Sequence, residues 1–371
     1  MKLRSLVFVT ASLFVSACNP AIEFVGVQSR KEAPAVVPVA DDVIHFLQEL
    51  GQAYGSENSA AVWAFLASDF LYQGMDREAF MKHLAANQAY VEALEIRPVE
   101  VTPKGEALEM IAYGMMPRGP LAPSLQLLPL TTGATLVRED GQWKLHGNQQ
   151  RQEQVLYRQL TGIVAEFPPA DLAAYTALIP KGWELPVEPL VQLNFVEWRK
   201  MLPPQTPYRL AQLNIRVSRG TQEAWFYVEM PETDWLAVGA GRAIGFPKYV
   251  ADVVIDRGDS KDAWQASVIE EGKTLVVAEY VADSRAVLQL KERSREGVIV
   301  FPKGPSLMVF NQPVGTPGRP RFASGWLTVR PGASGQWGRL LPAGQRVAAS
   351  AYEYASPLKL VIPPLANLDT P

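Results

Sequence analysis

The stretch "GRAIGFPKYV", residues 241–250, sets one lysine, Lys248, after a proline inside an otherwise apolar run. Charged side chains are rarely buried without a partner. A lysine so placed has three readings: a reactive amine in a pocket, a cation that binds an anionic ligand without reacting, or a snorkelling residue on a strand edge. The three histidines, His45, His83 and His146, all lie in the first 150 residues, spaced too widely for a local metal motif. Cys18 is the only cysteine. From residue 165 onward the chain has neither histidine nor cysteine, so a serine–histidine triad or a histidine-ligated metal is excluded there. Chemistry in that half has to rest on lysine, tyrosine or carboxylates. No metal site and no cofactor is expected.

The chain that positions these residues has 371 of them, 48% hydrophobic and 20% charged. That is more than one ordinary domain needs. The net charge of -3 and pI of about 5.8 give no basic face for nucleic acid. In "DDVIHFLQELGQAY", Val43, Phe46, Leu47 and Leu50 fall at i, i+3, i+4, i+7, which predicts an amphipathic helix with Asp41 or Asp42 placed to cap it. "SAAVWAFLASDF" reads as a shorter helix, and "DREAFMKHLAANQAYVEAL" as a third starting at Asp76, with Phe80, Leu84, Val91 and Leu94 on one face. Strand-like runs follow: "ALEIRPVEV", "ALEMIAYGMM", "GATLVRE" and "QWKLHGN", with turns at "PKGE" and "EDGQ". "RQEQVLYRQLTGIVAEF" reads as a helical connector. Beyond about residue 165, short alternating runs separated by Pro and Gly predict a mostly antiparallel β domain with a barrel-like core.

Three resemblances organise this reading. At the N-terminus, Lys2 and Arg4, the apolar "SLVFVTASLF" and the small residues of "VSAC" together resemble the signal and lipobox of bacterial lipoproteins. This implies cleavage before Cys18 and lipid on its sulfur and new amine. Asn19 after the cysteine implies sorting to the outer membrane, facing the periplasm, with the outer face of the cytoplasmic membrane as the alternative. An ordinary secretion signal with a leftover thiol is the other reading of the segment. The helices followed by curved strands ending in "DGQWKLHGN" resemble the cone of the nuclear transport factor two superfamily. In that cone Trp63, Tyr72, Tyr113 and His146 could line a cavity, or simply pack.

The third resemblance spans about 165–365. "DLAAYTALIPKGWELPVEPLVQLNF", "YRLAQLNIRV", "AWFYVEMPETDWLAVGAGRAIGFPKYVADVVID", "GPSLMVFNQP" and "SPLKLVIPP" resemble acetoacetate decarboxylases in order and spacing. The resemblance implies that Lys248 is the Schiff-base nucleophile and that Arg242 faces the same cavity. Several positions depart from the family pattern. Tyr249 stands where the family has a second lysine, and Ala243 where it has a glutamate after Gly-Arg. Two family glutamates map onto Asn194 and Leu210. These departures point away from authentic acetoacetate decarboxylation. Arg242 has a second reading as a structural ion pair with Asp252 or Glu229, and Trp225, Phe226 and Trp235 read most simply as core.

The expected class is α+β. The expected order is a signal peptide (1–17), a tether (18–40) holding the body off the membrane, a helix-plus-curved-sheet cone (41–150), a connector (151–164) and an acetoacetate decarboxylase-like β-barrel-like domain (165–365). The expected function is an envelope lipoprotein acting on a small keto acid or ketone through a Schiff base on Lys248, with Arg242, Tyr249 and Asn194 around the substrate. The alternative is a non-catalytic ligand-binding or assembly lipoprotein with a degenerate site. Expected partners are a small carbonyl compound or carboxylate and, through Cys18, the membrane. No nucleic acid is expected, and a homo-oligomer is left open.

Overall fold

The computed structural model describes residues 22–23, 31–56, 59–88, 91–117, 119–120, 127–151, 157–201, 207–243, 245–257, 262–286, 296–301, 304–309, 321–333 and 335–354. Cys18, its signal segment, residues 19–21 and 24–30 of the tether, and "SPLKLVIPP" lie outside the described residues. Among the described residues no helix is long and apolar enough to cross a membrane.

A short strand β1 (Ile22–Glu23) precedes the first unit. That unit contains α1 (Asp41–Tyr54), β2 (Leu66–Tyr72), β3 (Met75–Asp76), α2 (Arg77–Ala86), β4 (Glu95–Lys104), β5 (Ala107–Met116), β6 (Gly119–Pro120), β7 (Ala134–Glu139) and β8 (Gln142–Gly147). Its strands form one sheet in the order β3-β2-β8-β7-β5-β4, with β6 on β5. The predicted face of α1 (Val43, Phe46, Leu47, Leu50) is buried against this sheet. Asp41 and Asp42 occupy the helix's first turn, and the N-cap is Ala40. Their charge favours the positive helix end there. Asp76 does cap α2, accepting the Ala79 amide at 2.9 Å.

Two of the predicted helices are shorter or different. "SAAVWAF" makes a 3-10 helix (Ser59–Phe65), and the chain then turns into strand β2. The α2 helix ends at Ala86. Val91 and Leu94 reach the same core from extended chain, where the Leu94 amide bonds the Gly51 carbonyl at 3.0 Å. The "EDGQ" turn has Asp140 at φ 51° and Gly141 at φ 77°, as a two-residue hairpin turn of positive φ requires.

The second unit contains β9 (Tyr157–Phe167), α3 (Leu172–Ala177), β10 (Val191–Met201), β11 (Tyr208–Arg219), β12 (Gln222–Glu232), α4 (Trp235–Ala243), β13 (Lys248–Val250), β14 (Asp252–Asp256), β15 (Ala263–Glu270), β16 (Lys273–Ala282), β17 (Glu296–Phe301), β18 (Gly304–Val309), β19 (Arg321–Pro331), α5 (Gly335–Leu340) and β20 (Arg346–Tyr354). Its sheet runs β14-β15-β16-β19-β20-β9-β10-β11-β12-β17-β18, with β13 on β12 and β1 on β10. This is the expected mostly antiparallel, barrel-like sheet with few helices.

From Tyr157 to Phe167 the stretch read as a helical connector is instead β9, a central strand between β10 and β20. It is buried on both sides. Ile163, Ala165 and Phe167 face the main core with Phe195, Leu213, Tyr280 and Trp337, while Leu160 faces Val196 and Leu210 on the other side.

The two units meet at α4, whose Ala240 and Ala243 join the core of the first unit. Trp235 packs edge-on against Tyr113 of β5, ring centres 5.3 Å apart. A Cβ on Gly239 would lie 1.6 Å from Cδ of Pro120, so only glycine admits this contact.

Candidate active site

Lys248 and its neighbours are positioned by the unit β12–α4–β13. Parallel strands need a crossover, commonly a helix, and α4 supplies it. The crossover sets Lys248 opposite Met230 and Val250 opposite Glu232, two residues apart on adjacent strands. Asp234 starts α4 by accepting the Ala237 amide at 2.9 Å. At the other end the Phe246 amide bonds the Gly241 carbonyl at 2.9 Å, and Gly245, at φ 90°, turns the chain into β13.

The lysine stem lies back across the helix. A Cβ on Gly241 would meet Cδ of Lys248 at 2.1 Å, so the glycine of the Gly241-Arg242 pair makes room for the stem. Gly239 and Gly241 are two apart, which on a helix puts them on nearly opposite faces. One receives Pro120 of the first unit and the other receives Lys248.

The Nζ of Lys248 donates to Oε2 of Glu232 at 2.8 Å, and the side chains are 10% and 0% exposed. Nζ also lies 3.4 Å from the Ala237 carbonyl oxygen and 5.8 Å from the centre of the Tyr208 ring. Leu160, Val196, Trp198, Tyr208, Leu210 and Ala237 form an apolar cluster beside the pair. Burial pushes the Glu232 carboxyl up to about 7, opposed by Lys248 and helped by Asp234. Its second oxygen, Oε1, is buried and has no hydrogen-bond partner among the described residues.

The other expected site residues fall in different places. Arg242 is exposed, and its Nε donates to the backbone oxygen of Lys248 at 2.6 Å. The guanidinium thus braces the lysine's backbone. The carboxylates named as its ion-pair partners are engaged elsewhere, Asp252 with Lys31 and Glu229 with Tyr249. Tyr249 follows Lys248 on a strand and so points to the opposite face. There its hydroxyl donates to Glu229 Oε2 at 3.0 Å, beside Trp337, whose Nε1 donates to the same oxygen.

Asn194 lies on the Lys248 side of the sheet, two residues from Val196, which pairs with Leu210, itself paired with Glu232. It donates to Gln212 Oε1 at 3.0 Å and accepts from the Tyr352 hydroxyl at 2.9 Å. Leu210 is buried in the apolar cluster. Its neighbour Arg209 faces the other way and binds Glu197 at 2.8 Å.

Phe226 packs on the main core as expected, whereas Trp235 packs on Tyr113 of the other unit. Trp63 is 39% exposed, Tyr72 bonds Thr132, and His146 lies 3.1 Å from Asp69. His45 pairs with Glu49 along α1.

Sequence reasoning missed Glu232. The only hint was an acidic residue closing the apolar run "AWFYVEMPE". Its partner lies 16 residues away across a helix, which no local spacing reveals.

Residues 146–310 match the family model "Acetoacetate decarboxylase (ADC)". No curated protein matches the chain. Solved structures similar to it include an acetoacetate decarboxylase from Legionella pneumophila, at 15% identity and TM-score 0.40 over 56% of this chain and 86% of that one. An acetoacetate decarboxylase-like enzyme from Sphingomonas wittichii shows 14% identity and TM-score 0.40 over 57% and 95%. The enduracididine biosynthesis enzyme MppR, complexed with pyruvate, shows 14% identity and TM-score 0.44 over 57% and 91%. The segment carrying Lys248 and Glu232, residues 146–310, is an acetoacetate decarboxylase-like domain.

Proposed function

We propose that the chain is an envelope lipoprotein, anchored through Cys18, whose C-terminal domain forms an imine between Lys248 and a small ketone or keto acid. Reading the first unit as a nuclear-transport-factor-two-like cone belongs to the same proposal. The observation that carries the catalytic part is the Lys248–Glu232 pair: an amine and a carboxylate 2.8 Å apart, nearly closed to solvent.

An amine attacks a carbonyl carbon only through its free lone pair, so the ammonium must first give up a proton. Glu232 Oε2 already accepts the hydrogen bond along which that proton moves. Burial favours the neutral acid, and so makes the carboxylate a better proton acceptor than an exposed one. Attack gives a carbinolamine, and loss of water from it leaves an iminium next to the carboxylate. The Ala237 carbonyl and the Tyr208 ring face give further stabilisation to positive charge at Nζ. Tyr249, turned toward Glu229, supplies no second cation.

Incubating the chain with acetone, acetoacetate or pyruvate, reducing with borohydride and mapping the product by mass spectrometry tests the proposal. The expected result is a single reduced adduct on Lys248, absent from Lys248→Met. No adduct with any of these carbonyls up to about pH 9 would eliminate the imine.

A non-catalytic reading rests on Leu210. Where the family pattern has a glutamate, this buried side chain joins Trp198 and Tyr208 beside the ammonium. In that reading the Lys248–Glu232 pair is a structural ion pair or an anion-binding remnant, and the trapping experiment comes out negative.

A further inference from the structure

We infer that Arg199, Arg209 and Arg257, at one rim of the barrel-like sheet, form a binding site for a singly charged phosphodiester, the chemistry shared by a phospholipid headgroup and a free phosphate ester. The site lies on the opposite face of the sheet from Lys248 and does not depend on the imine reading.

Four neighbouring strands build it. Thr161 on β9 pairs with Glu197 on β10, Glu197 pairs with Arg209 on β11, and Glu353 on β20 pairs with Thr161 from the other side. Residues paired directly across strands share a face. Glu197 continues the row Val191, Leu193 and Phe195, all in the main core, so the cluster caps that core. Arg199 joins from a β-bulge. Between Trp198 and Lys200 the strand β10 advances two residues while β9 advances one, from Leu160 to Gln159. Such bulges re-aim side chains at barrel rims. Arg257 follows β14, which ends the sheet order, and donates to the Thr161 hydroxyl on β9. Its guanidinium carbon lies 4.2 Å from the centre of the Trp264 ring.

The charges do not balance. Glu197 is 6% exposed, whereas Arg209, Arg257 and Arg199 are 18%, 27% and 36% exposed. Solvent therefore reaches the guanidinium groups more than the carboxylate between them. A carboxylate accepts about four hydrogen bonds. Arg209 donates two to Oε1, at 2.9 and 2.8 Å, and Arg199 Nε lies 3.1 Å from Oε2. Arg257 stays 3.6 Å away, and its Nε is buried without a hydrogen-bond partner among the described residues. Burial, and next the charge of Arg199, hold Arg257 below its ordinary value, against the pull of Glu197 and Glu353. Glu353 accepts from Gln159 at 3.1 Å. Three guanidinium groups against these two carboxylates leave one positive charge. A buried donor left unmade is costly. Guanidinium forks match phosphate oxygens, and a phosphodiester brings one negative charge with several acceptors.

The position of β1 favours a lipid as the source. Ile22 pairs with Met201 and Glu23 with Lys200, the residue after Arg199. Cys18 precedes Ile22 by four residues, which span at most about 14 Å when extended. An anchor on Cys18 would thus hold this rim near headgroup depth. The lipid source rests on that anchor reading, and the phosphodiester site itself does not.

The test is isothermal titration calorimetry of the full chain in non-ionic detergent at constant ionic strength. The probes are dimethyl phosphate, detergent micelles doped with phosphatidylglycerol, and the same micelles doped with zwitterionic phosphatidylcholine. Saturable binding of phosphatidylglycerol is expected, with phosphatidylcholine giving only heat of dilution. Arg257→Met keeps an apolar stem on Trp264 and is expected to weaken binding by about tenfold or more, the loss of one charge-assisted hydrogen bond. Should that variant fail to fold, the more exposed Arg199→Gln takes its place, with a several-fold loss expected. Binding of phosphatidylglycerol alone supports the lipid source. Binding of dimethyl phosphate alone supports the site and overturns the lipid source. Binding of neither, or binding that both arginine variants leave unchanged, overturns the inference. A mass spectrum showing Cys18 without lipid removes the anchor argument and leaves the dimethyl phosphate titration to decide the site.

Discussion

Glu229 and Glu232 stand three residues apart on β12, so the pleat sends them to opposite faces of one strand. The next strand repeats the division. Tyr249 meets Glu229 and Lys248 meets Glu232. Burial raises both carboxyls above their usual range, Glu232 to about 7. Their partners differ in kind. Glu229 is held by two neutral donors, the Tyr249 hydroxyl and the Trp337 indole, both on the same oxygen and at the edge of the main core. Glu232 is held by an ammonium that uses one oxygen and leaves the other without a partner among the described residues. A neutral hydrogen-bond partner fixes a carboxyl in place. An ionic partner with spare capacity leaves a proton free to move. One strand thus carries two buried carboxyls, one held by neutral donors and one by an ammonium, and the pairing, more than the burial, distinguishes them.

The largest effect that separates the two is expected from Lys248→Met. It removes the amine that the proposed imine requires and takes from buried Glu232 its ammonium partner. Losing one partner of a buried pair costs about 3–5 kcal/mol while the other stays charged. Here the remaining group escapes that penalty by taking a proton. Its folded-state value is already raised above the unfolded 4.5, so it favours the folded state at low pH, and that contribution fades between pH 4.5 and about 7. Without Lys248 the decline becomes steeper and extends to higher pH. Urea unfolding should show the variant close to the native chain at pH 5 and several kcal/mol weaker at pH 8. Equal losses at both values would mean that the pair is not where the charge resides.

A smaller effect is expected from Tyr249→Phe on the other face. The substitution keeps the ring and removes the hydroxyl that donates to Glu229 at 3.0 Å. Hydrogen bonds to charged groups are worth about 1.5–3 kcal/mol, so the unfolding free energy should drop by that amount at pH 8. The rate of adduct formation at Lys248 should stay unchanged. A tyrosine reaching the substrate, as the sequence reading expected of Tyr249, would instead slow the adduct, and the comparison of the two faces would break.

How far the molecule can be read from its sequence depends on how local each cause is. Helix α1 was legible because Val43, Phe46, Leu47 and Leu50 all report one buried face. The hairpin at Asp140-Gly141 was legible because its two residue types tolerate positive φ. Strand β9 was misread as a helix for a physical reason. Leu160, Ile163, Val164 and Phe167 fall at i, i+3, i+4, i+7, yet they are buried on both faces of a central strand, where alternation disappears. The site shows the same limit. Lys248 and Arg242 could be named from one short stretch. Glu232, Tyr208 and Ala237 reach the amine only through strand pairing and the α4 crossover. Gly241 looked like part of a motif, and its reason, the lysine stem lying over it, is visible only in three dimensions.

The smallest expected effect, Glu229→Gln, tests the sign of the comparison. An amide oxygen still accepts from Tyr249 and Trp337, and the desolvation of a charge is removed. The raised value of Glu229 means that its folded state favours the proton, and that its contribution to stability falls as pH rises past the ordinary carboxylate range. The substituted amide cannot ionise, so that loss disappears, and the variant should match the native chain at pH 4 and exceed it at pH 8. The same exchange at Glu232 runs the other way at pH 8, because it strands a buried ammonium with an amide. Opposite signs of the urea-midpoint shift for Glu229→Gln and Glu232→Gln would establish that partner chemistry sets the role of each carboxyl. Shifts of the same sign would mean that burial alone does.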